Sequence, residues 1–161
     1  MAHHELIEAL RTSRLAAELD PEQQRALAPC LALRELSQGE ILVAEGASDD
    51  HLYVIIRGAL AVVRGAGRPD AVTLFTLAPG DLVGELSFLD ATPHYASLVA
   101  AAPTLVFGLE RGRLEALLDT QPRVVYAVMR AIVRTTHQIQ RRLSMQSVEL
   151  TNYIYKQHGR Y

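Results

Sequence analysis

The chain has 161 residues, with 16 Lys and Arg against 18 Asp and Glu, for a formal charge of −2 with His counted neutral. At 49% hydrophobic and 21% charged, it carries enough apolar material for one buried core and lacks the make-up of a disordered or collagen-like chain. The near-neutral balance argues against a general nucleic-acid or membrane binder, and the single cysteine, Cys30, excludes an intramolecular disulfide. No window approaches the roughly 18 apolar residues of a membrane span. Met1 to Leu19 mixes His, Glu and Arg among its apolar positions, unlike a secretory leader, so the expected setting is reducing and cytoplasmic.

From Glu5 to Asp20, Leu6, Ile7, Leu10, Leu15 and Leu19 recur at roughly helical spacing, which predicts an amphipathic helix. Asp20-Pro21 ends it and opens a second, short helix. Asp20 is placed to cap that helix, Pro21 suits its first position, and Gln23 completes a capping-box pattern. From Leu31 the pattern changes to short runs of Val, Ile, Leu and Phe between Gly- and Asp-containing turns, which read as strands. They are placed at Leu33 to Leu36, Glu40 to Ala44, His51 to Ile56, Ala59 to Val63, Ala71 to Leu77, Ala96 to Val99 and Thr104 to Leu109. Several are apolar on both faces and no crossover helix separates them, so two packed antiparallel sheets follow, a jelly roll or barrel. The one interruption is Gly84 to Thr92, where Glu85 to Asp90 fits a single short helix before Pro93.

After Leu109 the helical period returns, first over Arg111 to Leu118 and then, past Pro122, to about Tyr155. Val125, Val128, Ile132, Thr135, Ile139, Arg142, Gln146 and Leu150 form its seam, flanked by Val124, Ala131, Leu143 and Ile154. At about 1.5 Å per residue such a helix reaches roughly 50 Å, longer than a core of this size covers. Its surplus apolar face predicts a partner helix, most simply from a second copy. The fold class is therefore α+β, mainly β: a double-stranded β-roll with flanking N-terminal helices, one inserted short helix and a long C-terminal helix. The chain divides into helices over 1–30, a roll over 31–110 and helices over 111–157, as a single domain.

This order of elements resembles the cyclic nucleotide-binding domain of catabolite-activator-type regulators, protein kinase regulatory subunits and gated channels. The resemblance covers about residues 12 to 155. It is carried by Gly39-Glu40-Ile41-Leu42 with Gly46, by Leu52 to Gly58, by Gly80-Asp81, and above all by Gly84-Glu85-Leu86-Ser87 followed by Pro93-His94-Tyr95-Ala96-Ser97. The last two stretches match that family's phosphate-binding cassette in type and spacing at every specified position except His94, where the family has arginine.

The resemblance implies a regulatory module with cyclic AMP or cyclic GMP as ligand, no resident cofactor and a homodimer through the long helix, with an unidentified protein partner downstream. It implies that Gly84 lets the backbone approach the ligand, that the Glu85, Leu86 and Ser87 amides face the phosphate, and that Glu85 accepts from the ribose 2′-hydroxyl. It further implies that the Ala96 amide and Ser97 bond the phosphate, with His94 and Tyr95 beside them. The purine then lies between roll and long helix, where Thr135 and Thr136 offer hydroxyls. A guanidinium makes two parallel charge-assisted bonds to a phosphate, whereas a neutral imidazole offers one N–H. His94 thus leaves open two further readings: a degenerate domain used as a dimerisation or interaction scaffold, and a pocket for another ligand.

Enzyme activity is not expected, since Gly-x-Ser-x-Gly, P-loop and Cys/His arrangements are missing from the sequence. His3, His4, His51, His137 and His158 lack metal-ligand spacing. Only Tyr155 to Tyr161 follows the long helix, so DNA binding is not expected either.

Overall fold

Asp20 opens α2 (Pro21–Leu27) as its pattern requires: its carboxylate accepts from the Gln23 N–H at 2.8 Å, and the Gln23 side chain accepts from the Asp20 N–H at 3.0 Å. Both bonds satisfy amides that have no partner inside the helix. They are seen in a computed structural model that describes the backbone of residues 2–158, with the side chains of Ala2, Arg142, Leu143, Tyr155, Gln157 and His158 outside the described set. The first helix is shorter than its apolar spacing predicts. α1 covers Ala2–Thr12, and a separate 3-10 helix follows over Arg14–Glu18. The Thr12 hydroxyl donates to the Ala9 carbonyl at 3.1 Å and the buried Ser13 hydroxyl to that of Leu10 at 2.7 Å. Side-chain bonds of this kind compete with the helical ladder, and here they accompany its break.

The strands are β1 (Leu31–Leu36), β2 (Ile41–Val43), β3 (His51–Arg57), β4 (Leu60–Arg64), β5 (Val72–Leu77), β6 (Leu82–Val83), β7 (Ser97–Ala100) and β8 (Thr104–Glu110). They form two four-stranded antiparallel sheets, in the order β1-β8-β3-β6 and β2-β7-β4-β5, packed as a jelly roll. β6 has no counterpart in the sequence reading, because two residues are too few to show a period; pairing with Tyr53 and Val54 makes it a strand. The central strands of the first sheet, β3 and β8, are buried on both faces. Tyr53, Ile55 and Val106 join Leu42, Leu60, Val62 and Leu98 inside the roll, while Leu52, Val54, Phe107 and Leu109 pack against α1, α2 and the long helix. That double burial is why β3 and β8 read as continuous apolar runs.

α3 (Glu85–Asp90) is the predicted inserted helix, α4 (Arg111–Glu115) stops short of Leu118, and α5 (Pro122–His158) runs 37 residues. Val124, Ala127, Val128, Ala131, Ile132 and Thr135 bury the first part of α5. Glu18, itself nearly buried, clamps that part with ion pairs to Arg134 at 2.7 Å and Arg130 at 3.2 Å. Beyond Thr135 the described side chains are exposed, Ile139, Met145, Val148 and Leu150 among them. Arg142 of the predicted seam and Leu143 flanking it lie outside the described side chains. Among the described residues, no helix is long and apolar enough to cross a membrane.

Candidate functional site

The two cassette stretches meet the distant β2–β3 connection at one end of the roll. Gly84 turns the chain from β6 into α3 at φ +86°, a left-handed conformation that favours glycine, and a Cβ there would crowd the His51 carbonyl oxygen at 3.1 Å. On α3, the buried Ser87 hydroxyl accepts from the Asp49 N–H at 2.6 Å. At the start of β7, the buried Ser97 hydroxyl accepts from the Glu45 N–H at 2.9 Å. Between them His94 is held by its backbone, donating to the Ala47 carbonyl at 2.8 Å and accepting from the Gly46 N–H at 2.7 Å. Residues 45–49, 84–87 and 94–97 are thereby laced together. Both serines fix the β2–β3 connection, a task their motif positions alone do not reveal.

The charge around His94 is negative. Burial holds its imidazole below the ordinary histidine range, against the pull of the neighbouring Asp49 and Glu85 carboxylates, which favour the proton. Its Nε2 is buried and has no hydrogen-bond partner. Burial alone would raise the Asp49 carboxyl, but hydrogen bonds from Tyr53 and His51 and the His51 charge outweigh it and hold it low. The Tyr53 hydroxyl donates to Asp49 Oδ2 at 2.6 Å, and His51 Nδ1 lies 3.0 Å from Asp49 Oδ1 and 2.8 Å from an Asp50 oxygen. The His51 and Tyr53 rings stack with centroids 5.7 Å apart. Sequence reasoning missed Asp49 and Tyr53 and set His51 aside, because their importance comes from strand register rather than from any motif. Tyr95 and Leu86 are exposed for the most part, and the partial burial that remains, together with Glu85, raises the Tyr95 hydroxyl. Ala96 is buried inside the roll beside Leu98.

On α5 the two threonines separate. Thr135 is buried against the body of the fold, whereas Thr136 is exposed and donates its hydroxyl to the Ile132 carbonyl at 3.0 Å. A physical link joins this helix to the cassette: Arg14 donates to Gln138 Oε1 at 3.1 Å and pairs with Asp81 at 3.2 Å, three residues before Gly84.

The family model described as the cyclic nucleotide-binding domain matches residues 33–121, which take in nearly all of the roll and the whole 84–97 cassette. The chain belongs to this family. This cyclic nucleotide-binding domain is 27% identical over 129 residues to a CRP-like cAMP-activated global transcriptional regulator of Mycobacterium tuberculosis, covering 79% of this chain and 57% of that protein. It therefore spans little more than half the length of that relative. A cyclic nucleotide-binding domain from Methylobacillus flagellatus has a similar solved structure, with a TM-score of 0.75 and 25% identity over 87% of this chain and 79% of the other. The N-terminal domain of a transcriptional regulator from Streptomyces coelicolor has a TM-score of 0.70 and 30% identity, over 84% of this chain and 94% of that one.

Proposed function

We propose that this cyclic nucleotide-binding domain is a regulatory sensor that takes a cyclic nucleotide, cyclic AMP or cyclic GMP, at residues 84–97 and passes its occupancy to a partner through α5. The observation that carries this is the lacing of the Gly84-to-Ser87 and His94-to-Ser97 stretches around one end of the roll, with the backbone held by Ser87, Ser97 and the Gly46 and Ala47 peptide groups. In this reading Glu85 accepts from the ribose, the Ala96 amide, Ser97 and the first amides of α3 face the phosphate, and Thr135 is the α5 hydroxyl nearer the ligand. Leu86, Tyr95 and Thr136 stand at the margin. Ligand bound to both cassette and helix favours the arrangement in which they meet. Arg14 is placed to transmit it, because it holds Gln138 and Asp81 together.

Calorimetric titration with cyclic AMP and cyclic GMP tests the binding step. Saturable binding by the native chain is expected, weakened about tenfold or more by Glu85→Ala, which removes a charged acceptor. A native chain that binds neither nucleotide would favour the scaffold reading.

We also infer that α5 pairs with its counterpart in a second copy. Ile139 is 40% exposed and Val148 57% exposed on a stretch that has no core of its own to cover. A two-helix seam buries such residues. Sedimentation equilibrium should find a dimer, and Ile139→Asp should shift it to monomer by burying an unpaired charge. An Ile139→Asp chain that stays dimeric would place the interface elsewhere.

A further inference from the structure

The strand paired with the start of β7 ends in an arginine, Arg64. Val62 of β4, 2% exposed, pairs with Leu98 of β7, 3% exposed, and both point into the roll. Two residues on from Val62, strand alternation puts Arg64 on that same inner face. The β4–β7 register ends with Val63 opposite Ser97, and continuing it by one residue would set Arg64 level with Ala96.

Glu45 links Arg64 to the start of β7. Its backbone N–H is held by Ser97, and its carboxylate crosses β7 to accept from the Gly65 N–H at 2.8 Å and to reach Arg64 Nε at 3.7 Å. The next residue, Gly46, holds the His94 carbonyl. Arg64 and Glu45 are therefore tied to the 94–97 stretch through Ser97, with Gly46 on His94 beside them. The pair is long and made by a single contact, and the Arg64 side chain is largely exposed, so little is lost when it opens. A guanidinium so placed offers several unused N–H donors.

We propose that Arg64 is the residue that recognises the ligand's phosphate in this chain, standing in for the cassette arginine replaced by His94, and that Glu45 holds it aside until an anion displaces the carboxylate. This rests on the reading of the pocket as a nucleotide site. It makes Glu45 a competitor of the ligand: the carboxylate and the phosphate seek the same guanidinium, and a charged phosphate offers it a bidentate contact that the 3.7 Å pair lacks.

The test is calorimetric titration of the native chain, Arg64→Gln and Glu45→Gln with cyclic AMP and, as an uncharged comparison, adenosine, with thermal melts to confirm folding. Arg64→Gln should weaken cyclic AMP about ten- to hundredfold, the span of a charged hydrogen-bond set, and leave adenosine unchanged. Glu45→Gln keeps an acceptor for the Gly65 N–H but releases Arg64, and should tighten cyclic AMP several-fold. Native-like cyclic AMP affinity in Arg64→Gln overturns the Arg64 assignment while leaving the sensor reading intact. A native chain that binds no cyclic nucleotide overturns both. Equal losses for adenosine and cyclic AMP in Arg64→Gln also overturn the assignment, because they would show a general change of pocket shape.

Discussion

His94→Arg is expected to tighten cyclic AMP binding about tenfold to somewhat over a hundredfold at pH 7, measured by calorimetric titration beside the native chain. Burial pushes the native imidazole below the ordinary histidine range, and its Nε2 is unpartnered. Arginine brings a permanent charge and a planar fork, and Asp49 and Glu85 are already close enough to influence residue 94. The pH dependence separates the two side chains. A phosphate next to His94 raises its pKa in the complex above that of the free protein, so binding takes up a proton and affinity rises as pH falls through that interval. The native chain should therefore bind more tightly at pH 6 than at pH 8, while the His94→Arg variant should be flat over the same range. A folded variant with no gain in affinity would mean that the loss of arginine is not what limits the pocket. Should Arg64 carry the phosphate as inferred, the gain would fall at the lower end, since a second guanidinium meets an anion already partly neutralised.

Gly58→Ala is expected to cost about 2–6 kcal/mol of folding stability, combining a left-handed backbone with an overpacked contact. Gly58 has φ +88°, and a Cβ there would lie 2.5 Å from the Pro103 carbonyl oxygen and the Thr104 hydroxyl and 2.7 Å from Thr104 Cα. None of these atoms gives way cheaply. The Thr104 hydroxyl accepts from the Ala59 N–H at 3.1 Å and lies 3.0 Å from the Ala59 carbonyl and 2.8 Å from that of Ala102, which clasps the β3–β4 turn against the β7–β8 turn. Moving Thr104 would disturb both turns at once. Urea denaturation of the two proteins measures the difference; a loss below about 1 kcal/mol would show that the 102–104 turn yields. Because this turn is built on Thr104 and not on the 84–97 stretch, ligand affinity in the surviving folded fraction should stay near native.

Much of the architecture is local information. The Asp20-Gln23 capping box, the glycine-marked turns, the short helix after Gly84 and the long period after Pro122 each depend on residues within one or two turns of one another, and each appears in the structure. The same holds for the cassette, whose residues lie between 84 and 97 and whose type and spacing mark the family. Where local signals conflict, prediction fails in a physically specific way. The apolar spacing through Leu15 and Leu19 favours one helix, but the hydroxyls of Thr12 and Ser13 turn onto the backbone and the chain bends.

The amino-acid sequence by itself determined the kinds of element, their order and the motif that names the family, because hydrophobic period, capping and turn chemistry act over a few residues. Only the tertiary structure decided which groups surround that motif. Glu45 meets Ser97 across 52 positions, Asp49 meets Ser87 across 38, and Gly65 meets Glu45 across 20. Thr135 turns inward while Thr136 turns out. Such encounters are set by strand register and helix rotation, where a shift of one residue carries a side chain to the opposite face. No local pattern records that choice; it is made when the two sheets and α5 pack together.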